Sequence, residues 1–417
     1  MSRTKPWVVP VLLMLLFLAT RIIIFLLWRH PSAEFVANDV SYYGFNLYHL
    51  EQGSTDVMRE YPPPAVWILH ALYKLGGGWQ HWLGLYLAAF LMLDGLVAIS
   101  FFRANRPVAS LFWILFTGAN GAIMWFRFDL LPAALVAWAC LWLATRPRVS
   151  GALVGLGAAI KLWPALLIFP MLAPHPMKAP GRDRFLGFLG LGGGLGVISL
   201  LLEGWGRNVD PLTWQSERGL QIESVPATPL MFLRTFTDNP SWPVGLSDYN
   251  AIEVYGPGVG GLLQASTVLT ALSLVMTGLL TFRLIRTKAP SDSILFAILT
   301  VVLATIVVNK TLSPQYILWL GGPVAALLLY ARPSLRRHVN VIAVAMIAIG
   351  FLTQYTYPWG TMGIMGMPNG SAFETSVLIL RNLALIVLLI HAFIVTWQST
   401  RTPTEQGQQT SEELAKL

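Results

Sequence analysis

The sequence is almost without cysteine, poor in charge and free of any glycine loop that cradles a nucleotide. Cys140, its single cysteine in 417 residues, lies in an apolar segment, which excludes an internal disulfide and any cysteine-based metal cluster. Charged residues make up only 12% of the chain, half of what a soluble domain carries. There is no Walker motif and no Gly-x-Gly-x-x-Gly after a strand, so nothing marks a nucleotide site. Histidines such as His49, His70 and His81 are scattered and offer no metal-ligand spacing. The net charge of +8 is spread as short basic clusters between apolar runs rather than as one stripe. That pattern reads as membrane orientation and anionic-lipid contact, not as nucleic-acid binding.

Apolar sequence is what the chain has in abundance: 55% of residues are hydrophobic and the mean hydropathy is +0.60. Runs long enough to cross a bilayer recur from end to end, which predicts an all-α polytopic membrane protein. The first run carries Arg21 and lacks a small-residue cleavage signal, so it reads as a retained helix rather than a cleaved signal peptide. Spans are predicted at 7–28, 82–102, 108–126, 128–145, 185–203, 258–282, 290–308, 314–330, 339–353 and 373–397. The basic clusters Arg3/Lys5, Arg103/Arg106, Arg146/Arg148, Lys178/Arg182/Arg184, Arg283/Arg286/Lys288 and Arg332/Arg336/Arg337 fall on one side of this threading, the cytoplasmic side by the positive-inside rule. Both termini are then cytoplasmic in a cell inner membrane. Residues 1–400 form one transmembrane domain, and the polar tail 401–417 reads as disordered.

Two segments do not fit as simple spans. Residues 61–77, YPPPAVWILHALYKLGG, are placed along the outer interface, where Tyr, Trp and His are at home. Residues 150–172 have basic clusters on both sides, so a re-entrant pair of half-helices broken around Lys161–Pro164 is predicted, bringing the helix count to 10–12. Proline removes a backbone donor, and such a break survives only where protein or a cavity covers it. One ordinary helix with an imperfect charge pattern is the alternative.

This threading sends every substantial polar loop, chiefly 29–81 and 204–257, to the outer face. Asp39 leads the candidates for chemistry, because a carboxylate near the membrane boundary can take a proton from a hydroxyl, and the neighbouring Tyr42 and Tyr43 can stack on sugar rings and exclude water. Glu34, Glu51, Asp56 and Glu60 are rival carboxylates of the same loop, and a solvated helix-capping role for Asp39 is the plain alternative. Arg127 and Asp129 share a short turn, where they can simply pair with each other; otherwise Arg127 meets an anionic headgroup and Asp129 fixes it or a tyrosine. Lys161, deep in an apolar segment, requires water or an anion. Lys310, followed by Gln315 and Tyr316, makes a donor-rich mouth. Arg218 can grip a phosphate, with Gln221 and Glu223 beside it for hydroxyls. Snorkelling lysines and salt bridges within a surface helix would explain part of this set.

The pieces NDVSYY at 38–43, EYPP at 60–63, RFDLLP at 127–132, A-x-KLWP at 159–164, RGLQIES at 218–224 and SPQY at 313–316 resemble glycosyltransferase family 87. The resemblance implies a GT-C fold and an inverting transferase that moves a sugar from a polyprenyl-phosphate carrier to a glycolipid or glycan hydroxyl. It makes Asp39 the catalytic base and Lys161 and Arg218 the phosphate contacts. Mannosyl transfer, as to a phosphatidylinositol mannoside, is favoured over arabinofuranosyl transfer from polyprenyl-phosphate-arabinose; a lipid-linked sugar transporter or flippase is the rival of another class. The chain lacks the paired aspartates of some other GT-C families, so no cofactor and no divalent metal is expected.

Overall fold

The computed structural model describes residues 7–104, 107–237 and 240–400. The 401–417 tail and the basic residues Arg3, Lys5 and Arg106 lie outside the described residues. Among the described residues the fold is all-α apart from one small hairpin. The first span, α1, is Val8–Trp28, about 30 Å long and matched to a bilayer core. Its Arg21 is neutralised by Asp94, 2.6 Å away, on the second span. The Arg21 guanidinium also donates to the Thr117 hydroxyl and the Ile114 carbonyl, and Trp113 Nε1 donates to the other Asp94 oxygen. A charged pair in hydrocarbon persists only with its polar atoms occupied in this way.

Between these two spans the chain forms α2, Asn38–Glu51, and α3, Pro63–Leu75. At 13 residues, α3 is about 20 Å long and too short to cross. The second span is α4, Trp82–Arg103. Two short apolar pieces follow as α5, Pro107–Asn120, and α6, Ile123–Phe126; the Arg127–Asp129 turn then leads into α7, Leu130–Leu141.

The segment predicted to break does so. Helix α8, Pro147–Ile160, ends at Lys161, whose backbone is extended, and a 3₁₀ turn at Trp163–Leu167 leads into the short α9, Ile168–Met171. Helix α10, Gly181–Phe188, follows and packs against α8 with the same direction: Gly151 abuts the Arg184 backbone, and Gly155 abuts Phe188 and Gly192. A Cβ at Gly151 would collide with that backbone, so the close approach of the two helices requires glycine there. Since α8 and α10 start at the same face, the chain between them must return to it. Arg184 marks the return by donating to the carbonyls of Leu143, Met171 and Ala173 at 2.7–3.1 Å. It is therefore buried rather than an open member of its basic cluster.

A π turn carries α10 into α11, Gly194–Glu217, which bends at Gly204, where φ is +75°. The long polar segment 204–257 is thus not an open loop. It contains the second half of α11, then α12, Thr228–Phe236, and an antiparallel hairpin of β1, Val244–Leu246, and β2, Ile252–Val254, with Val244 opposite Val254. The apolar stripe of Leu220, Ile222, Leu230, Met231 and Val254 gives this cap its own small core.

The remaining spans are α13, Val259–Arg286; α14, Ser291–Val308; the piece formed by a 3₁₀ turn at Pro314–Leu320 and α15, Gly321–Tyr330; α16, Arg336–Gln354; and, after the short α17, Thr361–Met365, the last helix α18, Ala372–Ser399. Helix α14 is enclosed almost all round, whereas α1 and α13 present rows of Leu, Ile and Val outward, as helices at the centre and the rim of a lipid-embedded bundle must. Among the described residues, seven helices are long and apolar enough to cross a membrane, and three more apolar helices are shorter.

Candidate active site

At one end of the bundle α2, the Arg127 turn, the α8 break, the cap and the Pro314 turn enclose a cavity of about 390 Å³, within the range of small-molecule sites. Of the residues expected from sequence, Asp39, Tyr42, Tyr43, Arg127, Lys161, Arg218, Gln221, Glu223, Gln315 and Tyr316 all line it. Asp129 and Lys310 do not; they stand behind the wall.

Asp39 lies in the first turn of α2 and makes no capping bond, so the helix-capping alternative fails. Its carboxylate forms an ion pair with Arg127 at 2.9 Å, with 32% of its side chain open to the cavity. Enclosure pushes the Asp39 carboxyl above the usual aspartate range, Arg127 pulls it back, Asp129 raises it and Lys161 lowers it. Arg127 does not pair with Asp129. It is buried, donates to the Val36 carbonyl at 3.0 Å and to the Tyr357 hydroxyl at 2.7 Å, and faces Asp39. With those directions occupied, it serves as a clamp on Asp39 rather than an open headgroup contact.

Asp129 instead holds Lys161. One carboxylate oxygen accepts from Lys161 Nζ at 2.7 Å and the other from Trp319 Nε1 at 2.9 Å. The lysine leaves α8 where the backbone becomes extended, and its ammonium sits 5.4 Å from the Tyr61 ring and 5.7 Å from the Tyr316 ring. Aromatic faces favour a cation at this range. Trp319 stacks on both Trp163 and Tyr316, which stiffens the support.

Lys310 points away from the cavity. Its ammonium donates to the carbonyls of Ser216, at 2.7 Å, and Arg218, so its expected phosphate contact gives way to a role in holding the loop. Glu253 completes the hold by accepting from the Gly219 N–H at 2.9 Å. Arg218, fixed from both sides, has only a 3.5 Å contact to Gln215 Oε1, and its buried Nε has no partner among the described residues.

Glu223 pairs with Arg381 of α18 at 2.9 Å. Burial raises its carboxyl and Arg381 opposes the rise. Gln221 keeps a buried Oε1 without a partner among the described residues. Tyr43 shares a hydrogen bond with Tyr61 at 2.9 Å, and Tyr42 donates to Glu60 at 2.8 Å. Glu60 lines the cavity as well, and burial raises its carboxyl while the Tyr42 hydrogen bond lowers it.

The charges can now be paired. The lining holds three carboxylates, Asp39, Glu60 and Glu223, and three cations, Arg127, Lys161 and Arg218. Asp39 pairs with Arg127, Glu223 with Arg381 and Lys161 with Asp129, which leaves Arg218 and Glu60 without an ion-pair partner among the described residues.

The family model of glycosyltransferase family 87 matches residues 60–309, well over half of the chain. The chain belongs to glycosyltransferase family 87. Comparison with curated proteins gave no match. As a family 87 glycosyltransferase, it works on a sugar donor and an acceptor, and its cavity carries acidic, basic and aromatic groups. The matched span includes Glu60, Arg127, Lys161 and Arg218, while Asp39 precedes it and Gln315 and Tyr316 follow it.

Sequence reasoning passed over Tyr61, Tyr249, Tyr357 and Thr361, which also line the cavity, and treated Glu60 only as a rival acid. It also passed over Arg381, which sits inside a long apolar helix. The argument that singled out Lys161, a cation with no water to meet, applies equally to Arg381.

Proposed function

We propose that this glycosyltransferase moves a mannosyl residue, with inversion, from polyprenyl-phosphate-mannose to a hydroxyl of a lipid-linked mannoside or related glycan. The observation that carries the reading is the guanidinium of Arg218, without an ion-pair partner among the described residues, in the same cavity as the carboxylate of Asp39. A phosphate-linked sugar needs a cation for its leaving group, and an incoming hydroxyl needs a base.

In this scheme Asp39 accepts the proton of the acceptor hydroxyl. The freed oxygen forms a bond to the anomeric carbon, the carbon–oxygen bond to phosphate breaks from the opposite side, and the phosphate leaves with the electron pair. Arg218 and Lys161 stabilise the charge that grows on it. Arg127 orients Asp39 and favours its ionised form, while enclosure keeps it basic enough to act. Tyr42, Tyr43 and Tyr316 supply walls for sugar rings, and Gln221 and Gln315 supply amides for hydroxyls. Side-chain cations meet the leaving phosphate, so the proposed reaction is independent of divalent metal and cofactor.

The proposed orientation puts the cavity on the outer face of a cell inner membrane and both termini in the cytoplasm. It is supported by the basic residues Arg146, Arg148, Arg332 and Arg336 in the connections at the bundle end away from the cavity. The test is purified enzyme with polyprenyl-phosphate-mannose or polyprenyl-phosphate-arabinose and a panel of glycolipid acceptors. Consumption of the mannose donor with product of inverted configuration supports the reading. Use of the arabinose donor alone replaces the sugar, and consumption of neither donor refutes the proposal.

A further inference from the structure

We propose that Glu60 is the residue that reads the acceptor: its carboxylate takes a hydrogen bond from a second hydroxyl of the acceptor sugar while the first is delivered to Asp39. This rests on the function proposed above. Three observations lead to it.

The first is the charge pairing. Among the three cavity carboxylates, the oxygens of Asp39 and Glu223 face arginines, whereas Glu60 is held by the Tyr42 phenol at Oε1. Besides that phenol, its own backbone N–H reaches the carboxylate, no ion pair among the described residues holds it, and the residue lines the cavity. An ionised carboxylate accepts hydrogen bonds and cannot donate them, so the group that suits it is a neutral donor, such as a sugar hydroxyl. The same charge repels a phosphate, which places Glu60 on the acceptor side of the cavity and not beside the leaving group.

The second is register. Asp39 and Tyr42 are three residues apart on α2, hence on one face with about 5–6 Å between their Cβ atoms. Tyr42 brings the Glu60 carboxylate to that face through its 2.8 Å hydrogen bond. Two acceptors of a proton on the wall of one cavity match two hydroxyls of a single ring.

The third is rigidity. Glu60 precedes Tyr61-Pro62-Pro63, and Arg207 of α11 donates to the carbonyls of Tyr61 and Met58 at 3.0 and 3.1 Å. Arg59, one residue earlier, is bound to Asp210 at 2.8 Å. The loop is therefore fixed on both sides of Glu60, as a residue that discriminates between ring hydroxyls requires.

The exchange Glu60→Gln isolates this role. Glutamine keeps an oxygen for the Tyr42 hydroxyl but turns an NH₂ donor toward the cavity. If Glu60 only orients Tyr42, the exchange is silent. If it accepts from substrate, binding of an alkyl α-mannoside to full-length enzyme, measured by calorimetry without donor, weakens about 10- to 100-fold, the usual loss for a hydrogen bond to a charged group. One monodeoxy mannoside should then bind wild type and Glu60→Gln equally, because it lacks the hydroxyl that Glu60 reads. With polyprenyl-phosphate-mannose present, the acceptor KM rises and kcat changes less than threefold. The inference is overturned if Glu60→Gln binds every mannoside like wild type, if Tyr42→Phe reproduces its loss on all analogues equally, or if kcat collapses at unchanged KM, which would make Glu60 the base. Donor consumption by wild type is scored separately: its absence with Glu60-dependent mannoside binding refutes the transfer reaction and leaves the sugar site standing.

Discussion

The Arg127 guanidinium lies 2.9 Å from the Asp39 carboxylate, and the two residues, far apart in sequence, face each other at the mouth of the broken helix. Arg127 is buried and its remaining directions go to the Val36 carbonyl and the Tyr357 hydroxyl. The pair therefore joins the first polar segment, the α6–α7 turn and the segment after α16 in one arrangement. Asp39 is held in place by a cation that favours its ionised form.

The pair predicts a pH dependence. As the proposed base Asp39 must be ionised, and enclosure raises its pKa above 3.8 while Arg127 lowers it. Removing the arginine lets the pKa rise further, so activity is lost at a higher pH as the solution is acidified. Arg127→Met should move the acid limb of kcat/KM upward, whereas Asp39→Asn should lower kcat about 10²- to 10⁴-fold at every pH, the usual loss for a general base. An unmoved acid limb in Arg127→Met would show that Asp39 does not set it.

Arg218 and Lys310 are predicted to separate cleanly. Arg218→Gln removes the unpaired guanidinium and should reduce kcat/KM for the polyprenyl-phosphate donor about 10- to 100-fold. Lys310→Met removes only the ammonium that supports the Ser216 and Arg218 carbonyls. Its effect should be smaller, and it should disappear in an Arg218→Gln background. Donor titrations of the four variants of this cycle decide it, since additive losses would mean that Lys310 meets the donor itself.

Metal dependence follows from the same charges. If Arg218 and Lys161 stabilise the leaving phosphate, wild type keeps its turnover after exhaustive chelation. Loss of activity that Mg²⁺ or Mn²⁺ restores would transfer that role to a metal.

The bundle was legible because each span carries its own apolar run, and the break at Lys161 was legible because basic residues on both flanks forbid a single crossing. The cap was less so. Its segment 218–227, helix α12 and hairpin draw on a small shared core of Leu220, Met231 and Val254, and such non-local packing leaves no periodicity strong enough to read. At the site, individual charges stood out, but their partners did not. Arg127 and Asp129 are close in the chain yet turn to Asp39 and Lys161, because an α6–α7 turn sends alternate side chains to different neighbours. Lys310 misled for a related reason: a lysine at a helix mouth looks the same in sequence whether it meets substrate or backbone carbonyls.

The Lys161–Asp129 pair predicts a stability effect distinct from the proposed role of Lys161 in the reaction. Asp129 is fully buried, with oxygens bound by Lys161 at 2.7 Å and Trp319 at 2.9 Å. Asp129→Ala leaves an ammonium beside an apolar wall and an indole N–H without an acceptor, a type of change that costs about 3–5 kcal/mol. Lys161→Met leaves the carboxylate buried without its cation and should cost a similar amount. Asp129→Leu with Lys161→Met removes both charges, so thermal unfolding in detergent should show the double variant more stable than either single exchange. Activity should not recover with it, because Lys161 is absent from the leaving-group side of the cavity. Full activity in that double variant would remove Lys161 from the reaction and leave it as a structural cation.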